Sequence, residues 1–313
     1  MKLPVPFIQL PLRFDAGVLA AEVEALGEAV WRDHPQKFPG NSMLPLLAAG
    51  GEPANESFIG EMAPTPELLR CPYLFQVIAS LGAVAGRTRL MRLAGQAEVT
   101  PHVDQGYYWT DRVRVHVPIV TQPTVRFQCD GVVVNMAAGE CWIFDTWREH
   151  KVENDATRSR IHLVVDTVGG PAFWELVARG RTHDAPPKDW SPRLVTPATV
   201  PPPLARERYN IPVVMSPWEI HYRLNGLLDE ADQAAQPTRD ARRLVDGFFR
   251  AWRSLWVQYA DSGEGVEHYL AALYGFLEGL PPSIAQLPLR NGTRWMDGVL
   301  ALVGKMAVRQ KAR

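Results

Sequence analysis

Cysteine is scarce in this sequence, runs of one-signed charge are missing, and no apolar stretch is long. Each shortage excludes a class of protein. The three cysteines, Cys71, Cys129 and Cys141, are an odd number at no metal-ligand spacing, so neither a disulfide framework nor a zinc knuckle is expected, and a reducing compartment is. Lys+Arg 33 against Asp+Glu 34 gives a formal net charge of -1, and no basic run exceeds the last few residues, so nucleic acid is not an expected partner. No run approaches the ~18 apolar residues of a membrane span. The opening MKLPVPFIQLPLRF carries three prolines and no small-residue cleavage site. These features lead us to expect a cytoplasmic protein with no membrane partner.

The composition that is present, 46% hydrophobic and 21% charged residues in a chain of 313, is that of a globular protein of one large or two modest domains. Proline, at 27 residues, and tryptophan, at ten, exceed the usual share. From Asp15 to about Arg32, Val18, Leu19, Val23, Leu26 and Val30 trace a helical stripe with Asp15 placed as its cap. Thr65-Pro66-Glu67 opens a second helix that Pro72 kinks or restarts. Between about Arg87 and Gly170 the apolar period falls from 3.6 to 2: Arg112, Arg114 and His116 alternate with Val113, Val115 and Val117, and Arg160, His162 and Val164 with Ile161, Leu163 and Val165. With Asp130-Gly131 and Ala138-Gly139 as turns, these are short antiparallel strands of a sandwich or barrel. Seven prolines between Pro186 and Pro203 mark a linker or strap. Helical periodicity then returns, opening with the capping box Ser216-Pro217-Trp218-Glu219. The expected organisation is 1–180 as a strand-rich domain with N-terminal helices, 181–208 as the strap and 209–313 as a helical domain.

Eight histidines and 34 acidic residues predict roughly one chance His-x-acidic triplet, and one occurs: His102-Val103-Asp104, just before the strongest strand run. Residues i and i+2 of an extended chain project from one face, so the imidazole and the carboxylate converge. His150 follows the apolar Trp142-Ile143-Phe144 strand, and Arg160 comes ten residues later. Two histidines and a carboxylate on neighbouring strands make a facial triad, whose open positions suit Fe(II) that also binds a chelating co-substrate and dioxygen. A buried arginine such as Arg160, with its planar fork, is suited to grip one end of a dicarboxylate.

The stretches VTPHVDQGYYWTDRVRVHVPIV, MAAGECWIFDTWREHKVEN and RSRIHLVVDT resemble the aspartyl/asparaginyl β-hydroxylase family of Fe(II)/2-oxoglutarate-dependent oxygenases over about residues 87 to 168. Asp104 stands where the aspartyl hydroxylases proper lack a carboxylate ligand, so the likeness is nearer to the bacterial proline cis-hydroxylases. This resemblance implies a double-stranded β-helix, or jelly roll; with the helical periodicities before and after it, the expected class is α+β, a jelly roll flanked by N-terminal helices and followed by a C-terminal helical region. It implies iron on His102, Asp104 and His150, 2-oxoglutarate held by Arg160, and O2 as oxidant. It further implies hydroxylation of an unactivated C–H with conversion of 2-oxoglutarate to succinate and CO2. Because Asp104 fills the position a halide needs, hydroxylation is expected rather than halogenation.

Arg114 and His116 repeat the spacing of Arg160 and His162, which makes them candidates for binding 2-oxoglutarate or substrate. Arg92, Tyr107, Trp109 and Arg148 are candidates for a small, amino-acid-like substrate. Two alternatives stand beside this reading: the same chemistry on a protein- or carrier-bound amino acid, and a jelly-roll binding or isomerase protein without oxygenase chemistry. For the C-terminal helices, covering the pocket, forming a homodimer and recognising a partner are all open.

Overall fold

A computed structural model describes residues 1–35, 37–185 and 190–309. The chain divides into two compact units, Met1–Asp104 with Asp111–Asn210, and Gln105–Thr110 with Ile211–Arg313.

The first unit is built on strands. In chain order these are β1 Phe7–Phe14, β2 Arg32–Asp33, β3 Asn41–Ala49, β4 Met62–Pro64, β5 Ala85–Leu93, β6 Ala97–His102 and β7 Val113–Val120. They continue with β8 Val125–Cys129, β9 Val132–Val134, β10 Glu140–Phe144, β11 His150–Asn154, β12 Arg160–Thr167, β13 Arg181–Thr182 and β14 Arg193–Val195. The larger sheet runs β13-β1-β10-β7-β12-β5-β3-β2, with β14 on β1 and β4 on β3, and the smaller runs β6-β11-β8-β9. The two sheets face each other across an aromatic seam, in which the Phe127 ring lies 5.7 Å from Phe7 and 4.8 Å from Phe144. This is the double-stranded β-helix that the family resemblance implied, with helices added.

Period-2 alternation sorts the larger sheet into two chemistries. Val113, Val115, Val117, Leu163 and Val165 face outward and bury against Leu19 and Val23 of α1 (Ala16–Leu26), Tyr73 and Val77 of α3 (Pro72–Ala79) and Phe173 of α5 (Pro171–Ala178). Each such side chain contributes about 1.5–3 kcal/mol on burial. The alternate residues, Arg114 and His116 on β7 and Arg160, His162 and Asp166 on β12, turn inward and are buried or nearly so. Helix ends follow the sequence signals. Asp15 Oδ1 accepts from Val18 N at 3.1 Å, Thr65 caps α2 (Pro66–Leu69), and α3 starts afresh at Pro72.

Two strands escape the alternation. Both β1 and β3 contain a proline that reads as a strand breaker, yet both lie inside the larger sheet. Each pairing shifts register there, between Gln9 and Arg13 around Pro11 and between Pro45 and Leu47, so the missing N–H falls at an irregularity and interrupts little. Part of the expected strap is also sheet. β13 and β14 pair with one edge of β1, the first antiparallel and the second parallel, and Arg206 bridges to Ala85. Pro186 and Pro187 lie outside the described residues.

The second unit carries α4 (Tyr107–Thr110), α6 (Pro217–Leu228), α7 (Gln236–Tyr259), α8 (Val266–Glu278), α9 (Pro282–Ala285) and α10 (Trp295–Val299), the last running into a π-turn at Leu300–Gly304. Its core centres on Trp252, whose indole donates to Met215 O at 2.9 Å and packs on Phe248 and Tyr269. Ser216 Oγ accepts from Glu219 N at 3.2 Å, which is half of the expected capping box. The Glu219 carboxylate is engaged elsewhere, by Tyr107 and Arg223. Among the described residues no helix is long and apolar enough to cross a membrane. The three cysteines are free and buried.

Candidate metal centre

β6 and β11 pair so that His102 and His150 stand directly opposite each other, with ring centroids 4.2 Å apart. Asp104 follows β6, its N–H donating to Thr146 O at 3.1 Å. Its carboxylate oxygens lie 3.9 Å from His102 Nε2 and 3.9 Å from His150 Nε2. One ligand atom from each of the three residues falls within 4.8 Å of the others.

The histidines are oriented by their own backbone. His102 Nδ1 meets Thr100 O at 2.8 Å and His150 Nδ1 meets Arg148 O at 2.9 Å. A carbonyl only accepts, so each Nδ1 is the donor and each ring turns its Nε2 towards Asp104, the orientation a metal ligand needs. Burial pulls the His150 imidazole down to about 4, against the opposing pull of Asp104, which keeps it neutral. Burial alone would raise the Asp104 carboxyl, but Arg114, His150 and His102 outweigh it and hold Asp104 below its ordinary range. One ionised carboxylate and two imidazoles, converging with both rings oriented through Nδ1, fit a divalent cation with positions left open.

Arg160 is 4% exposed, its Nε has no hydrogen-bond partner, and among the described residues no carboxylate pairs with it. Burial lowers its guanidinium to about 9. One arm is occupied: Nη2 donates to His162 Nδ1 at 3.1 Å, and His116 Nδ1 lies 3.4 Å from the same atom. Burial, with Arg160 next, holds both imidazoles well below their usual value and therefore neutral. A buried cation without a counter-ion is costly unless a ligand brings one.

The structure brings together His102, Asp104 and His150 in one group and Arg160, His162 and His116 in another. It directs several other candidates elsewhere. Arg114 serves the metal ligand, with Nη1 2.7 Å from Asp104 Oδ2 and Nε 2.8 Å from Asp166 Oδ1. Arg92 falls on the outer face of β5, since its parity is opposite to that of Arg89, and it pairs with Glu28 and stacks on Trp31. Arg148 is bound by Asp130 and Asp145, and it reaches the site only through the carbonyl that orients His150. Tyr107 and Trp109 belong to the second unit, where the Tyr107 hydroxyl donates to Glu219.

Sequence reasoning passed over Arg87 and Arg89, Asp166, and the pair His34 and Phe38. Arg89 is 5% exposed and forms an ion pair with Asp166 at 3.9 Å. The signal was parity: Arg87 and Arg89 share the inward face of β5 with Leu93, and Asp166 shares that of β12 with Arg160. Phe38 lies 6.2 Å from the His102 ring and stacks with His34. Burial, followed by Arg89 and Arg87, lowers His34 to about 4. These two stand on a loop with no periodicity to mark them.

A jelly roll with a His-x-Asp and a distant His converging inside it defines a class of metal-site β-helix proteins. Residues 54–169 match the family model described as aspartyl/asparaginyl beta-hydroxylase, and in this segment the chain resembles that family. A curated relative, L-proline cis-3-hydroxylase 1 of a Streptomyces species, is 31% identical over 121 residues, which covers 36% of this chain and 40% of the relative's own length. Among solved structures, a Pseudomonas putida prolyl-4-hydroxylase has a TM-score of 0.35 at 17% identity, covering 52% of this chain and 92% of that one. An oxidoreductase of the 2OG-Fe(II) oxygenase family from Burkholderia pseudomallei has a TM-score of 0.33 at 15% identity, covering 47% and 77%.

Proposed function

We propose that this chain is an Fe(II)/2-oxoglutarate-dependent dioxygenase that hydroxylates an unactivated C–H of a small, amino-acid-like substrate. The observation that carries the reading is the pairing of two incomplete groups in one barrel. One is a triad of convergent Nε2, carboxylate and Nε2. The other is a buried guanidinium with no anion among the described residues, ten residues after the last ligand.

In this reading His102, Asp104 and His150 hold Fe(II), and Arg160 grips the distal carboxylate of 2-oxoglutarate. When bound, the iron and its co-substrate supply oxidising power that no protein side chain has. The chain's own part is orientation and charge. The carbonyls of Thr100 and Arg148 engage each Nδ1 and leave each Nε2 turned to the metal position. Arg114 keeps Asp104 ionised and limits its rotation. His162 fixes one arm of Arg160 and leaves the rest of the fork for an anion. Arg89, buried beside Asp166, offers a cation to a substrate carboxylate, which supports an amino-acid-like substrate.

The test is spectroscopic. Anaerobic addition of Fe(II) and 2-oxoglutarate should give a weak visible charge-transfer band that a His102→Ala variant lacks. Absence of the band in the native chain overturns the proposal. A panel of free amino acids, scored by succinate formation, then identifies the substrate; no oxygen-dependent succinate with any of them would favour a tethered substrate.

A further inference from the structure

Residues 145–149 carry the chain from β10 in the larger sheet to β11 in the smaller, all within the first unit. Two carbonyls of this connection meet the triad. Thr146 O accepts from Asp104 N at 3.1 Å, and Arg148 O accepts from His150 Nδ1 at 2.9 Å. A carbonyl orients its partner only as firmly as its own peptide is held, and residues between two strands need something other than ladder pairing to hold them.

Asp145 supplies that hold. It is 2% exposed, and its carboxylate accepts from three donors: at Oδ1 from Trp147 N at 2.9 Å, and at Oδ2 from Leu3 N at 3.0 Å and Arg148 Nε at 3.0 Å. The first of these bonds acts on Asp104. Trp147 N and Thr146 O belong to one planar peptide, so fixing the N–H at Asp145 fixes the direction in which the C=O points. The third acts on His150, since it ties down the residue whose carbonyl meets Nδ1, and Arg148 N also donates to Asp145 O at 3.3 Å. Asp145 is itself anchored on both sides. Its N donates to Pro6 O at 3.0 Å, and its O accepts at 3.5 Å from Sγ of Cys129, the residue paired with His150 in the smaller sheet.

We propose that Asp145 is a positioning residue for two metal ligands at once, reaching Asp104 through the Thr146 carbonyl and His150 through the Arg148 carbonyl. The role rests on the reading that the triad holds a divalent metal. It requires a carboxylate and not merely a polar side chain of that size. The amide of Asp145→Asn has one oxygen for donors on two sides, so whichever way it turns, its NH2 meets either Trp147 N–H or the pair Leu3 N–H and Arg148 Nε–H. A buried donor set against a donor loses its bond, and the peptide it held is released.

The test uses the full chain with Co(II) as the probe, read by its visible d–d bands and by titration, with far-UV circular dichroism and thermal melting as checks on folding. Arg148→Met takes the guanidinium from Asp145 and keeps the aliphatic stem. Asp15→Ala, which removes the cap of α1 on the outer face of the larger sheet, lowers stability away from the connection and is the control. Asp145→Asn should weaken Co(II) binding about tenfold and change the band shape, Arg148→Met should weaken it less with the same change of shape, and Asp15→Ala should leave both as in the native chain. If Asp145→Asn does not fold, Arg148→Met decides. Native affinity and spectrum in the folded variants overturn the proposal, as does a lowered melting temperature with an unchanged spectrum, which marks a structural role only. If the native chain itself binds no Co(II), the metal reading fails and this role with it.

Discussion

Arg114 Nη1 lies 2.7 Å from Asp104 Oδ2, while Nε of the same guanidinium lies 2.8 Å from Asp166 Oδ1. One planar fork spans a proposed metal ligand and a fully buried carboxylate. An ammonium group is a single point without that planar fork and does not reproduce two such contacts from separate nitrogens. Arg114→Lys should therefore keep a positive charge in the barrel yet weaken Fe(II) or Co(II) binding about 10- to 100-fold, the usual cost of losing a ligand's outer partner. Metal titration of the two proteins at one pH checks it. Equal affinities would mean that Asp104 is positioned by its backbone bond to Thr146 alone.

Arg160 invites a test in which function and stability move in opposite directions. Its guanidinium is buried, unpaired by any carboxylate among the described residues, and lowered to about 9 by burial. An uncompensated buried cation carries an unrepaid desolvation cost that an apolar side chain does not. Arg160→Leu should melt at or above the native temperature and lose more than tenfold in 2-oxoglutarate affinity, measured anaerobically with metal present. A strongly destabilised variant would show that Arg160 serves the fold instead.

The barrel's polar interior also sets a pH dependence. His116 and His162 are held well below 6.5, chiefly by burial and then by Arg160. Below about 6.5 the unfolded chain binds a proton at each ring and the folded chain does not, so folding stability is full above that pH and declines as pH falls through it. Each ring contributes up to about 1.4 kcal/mol per pH unit to the slope. Urea unfolding between pH 7.5 and 4.5 should show the decline, with a shallower slope in His162→Gln. An unchanged slope in that variant would place the titration elsewhere.

What the sequence disclosed and what it hid have separate physical causes. The triad was legible because His102 and Asp104 sit two apart in extended chain, where parity alone brings them to one face. Arg160 was legible because Arg160 and His162 alternate with Ile161 and Leu163 at the head of β12, and the same strand contains Asp166. β1 and β3 stayed hidden because each carries a proline, and only the pairing register reveals that the proline falls at an irregularity. The partner of Tyr107 was out of reach for another reason. Glu219 is 112 positions away, and in the sequence it reads as part of a capping motif. Parity settles which face a residue occupies; it says nothing about which distant element comes to meet it.

The proline-rich segment supplies the last prediction. Glu207 is 4% exposed and its carboxylate accepts from Arg112 Nε at 2.6 Å and Nη2 at 3.0 Å, across 95 positions. Its backbone is tied as well, with Glu207 N donating to Ala85 O at 3.0 Å and Met62 N donating to Glu207 O at 2.8 Å. Residues near 207 are therefore part of the barrel unit's framework, and the buried bidentate pair is where that membership can be measured. Glu207→Gln takes the anion from a buried guanidinium, so it should destabilise the chain by about 3–5 kcal/mol in urea unfolding, whereas replacing both residues by methionine should cost much less. Equal losses in the single and double variants would show that side-chain packing, rather than the burial of charge, fastens this segment to the barrel.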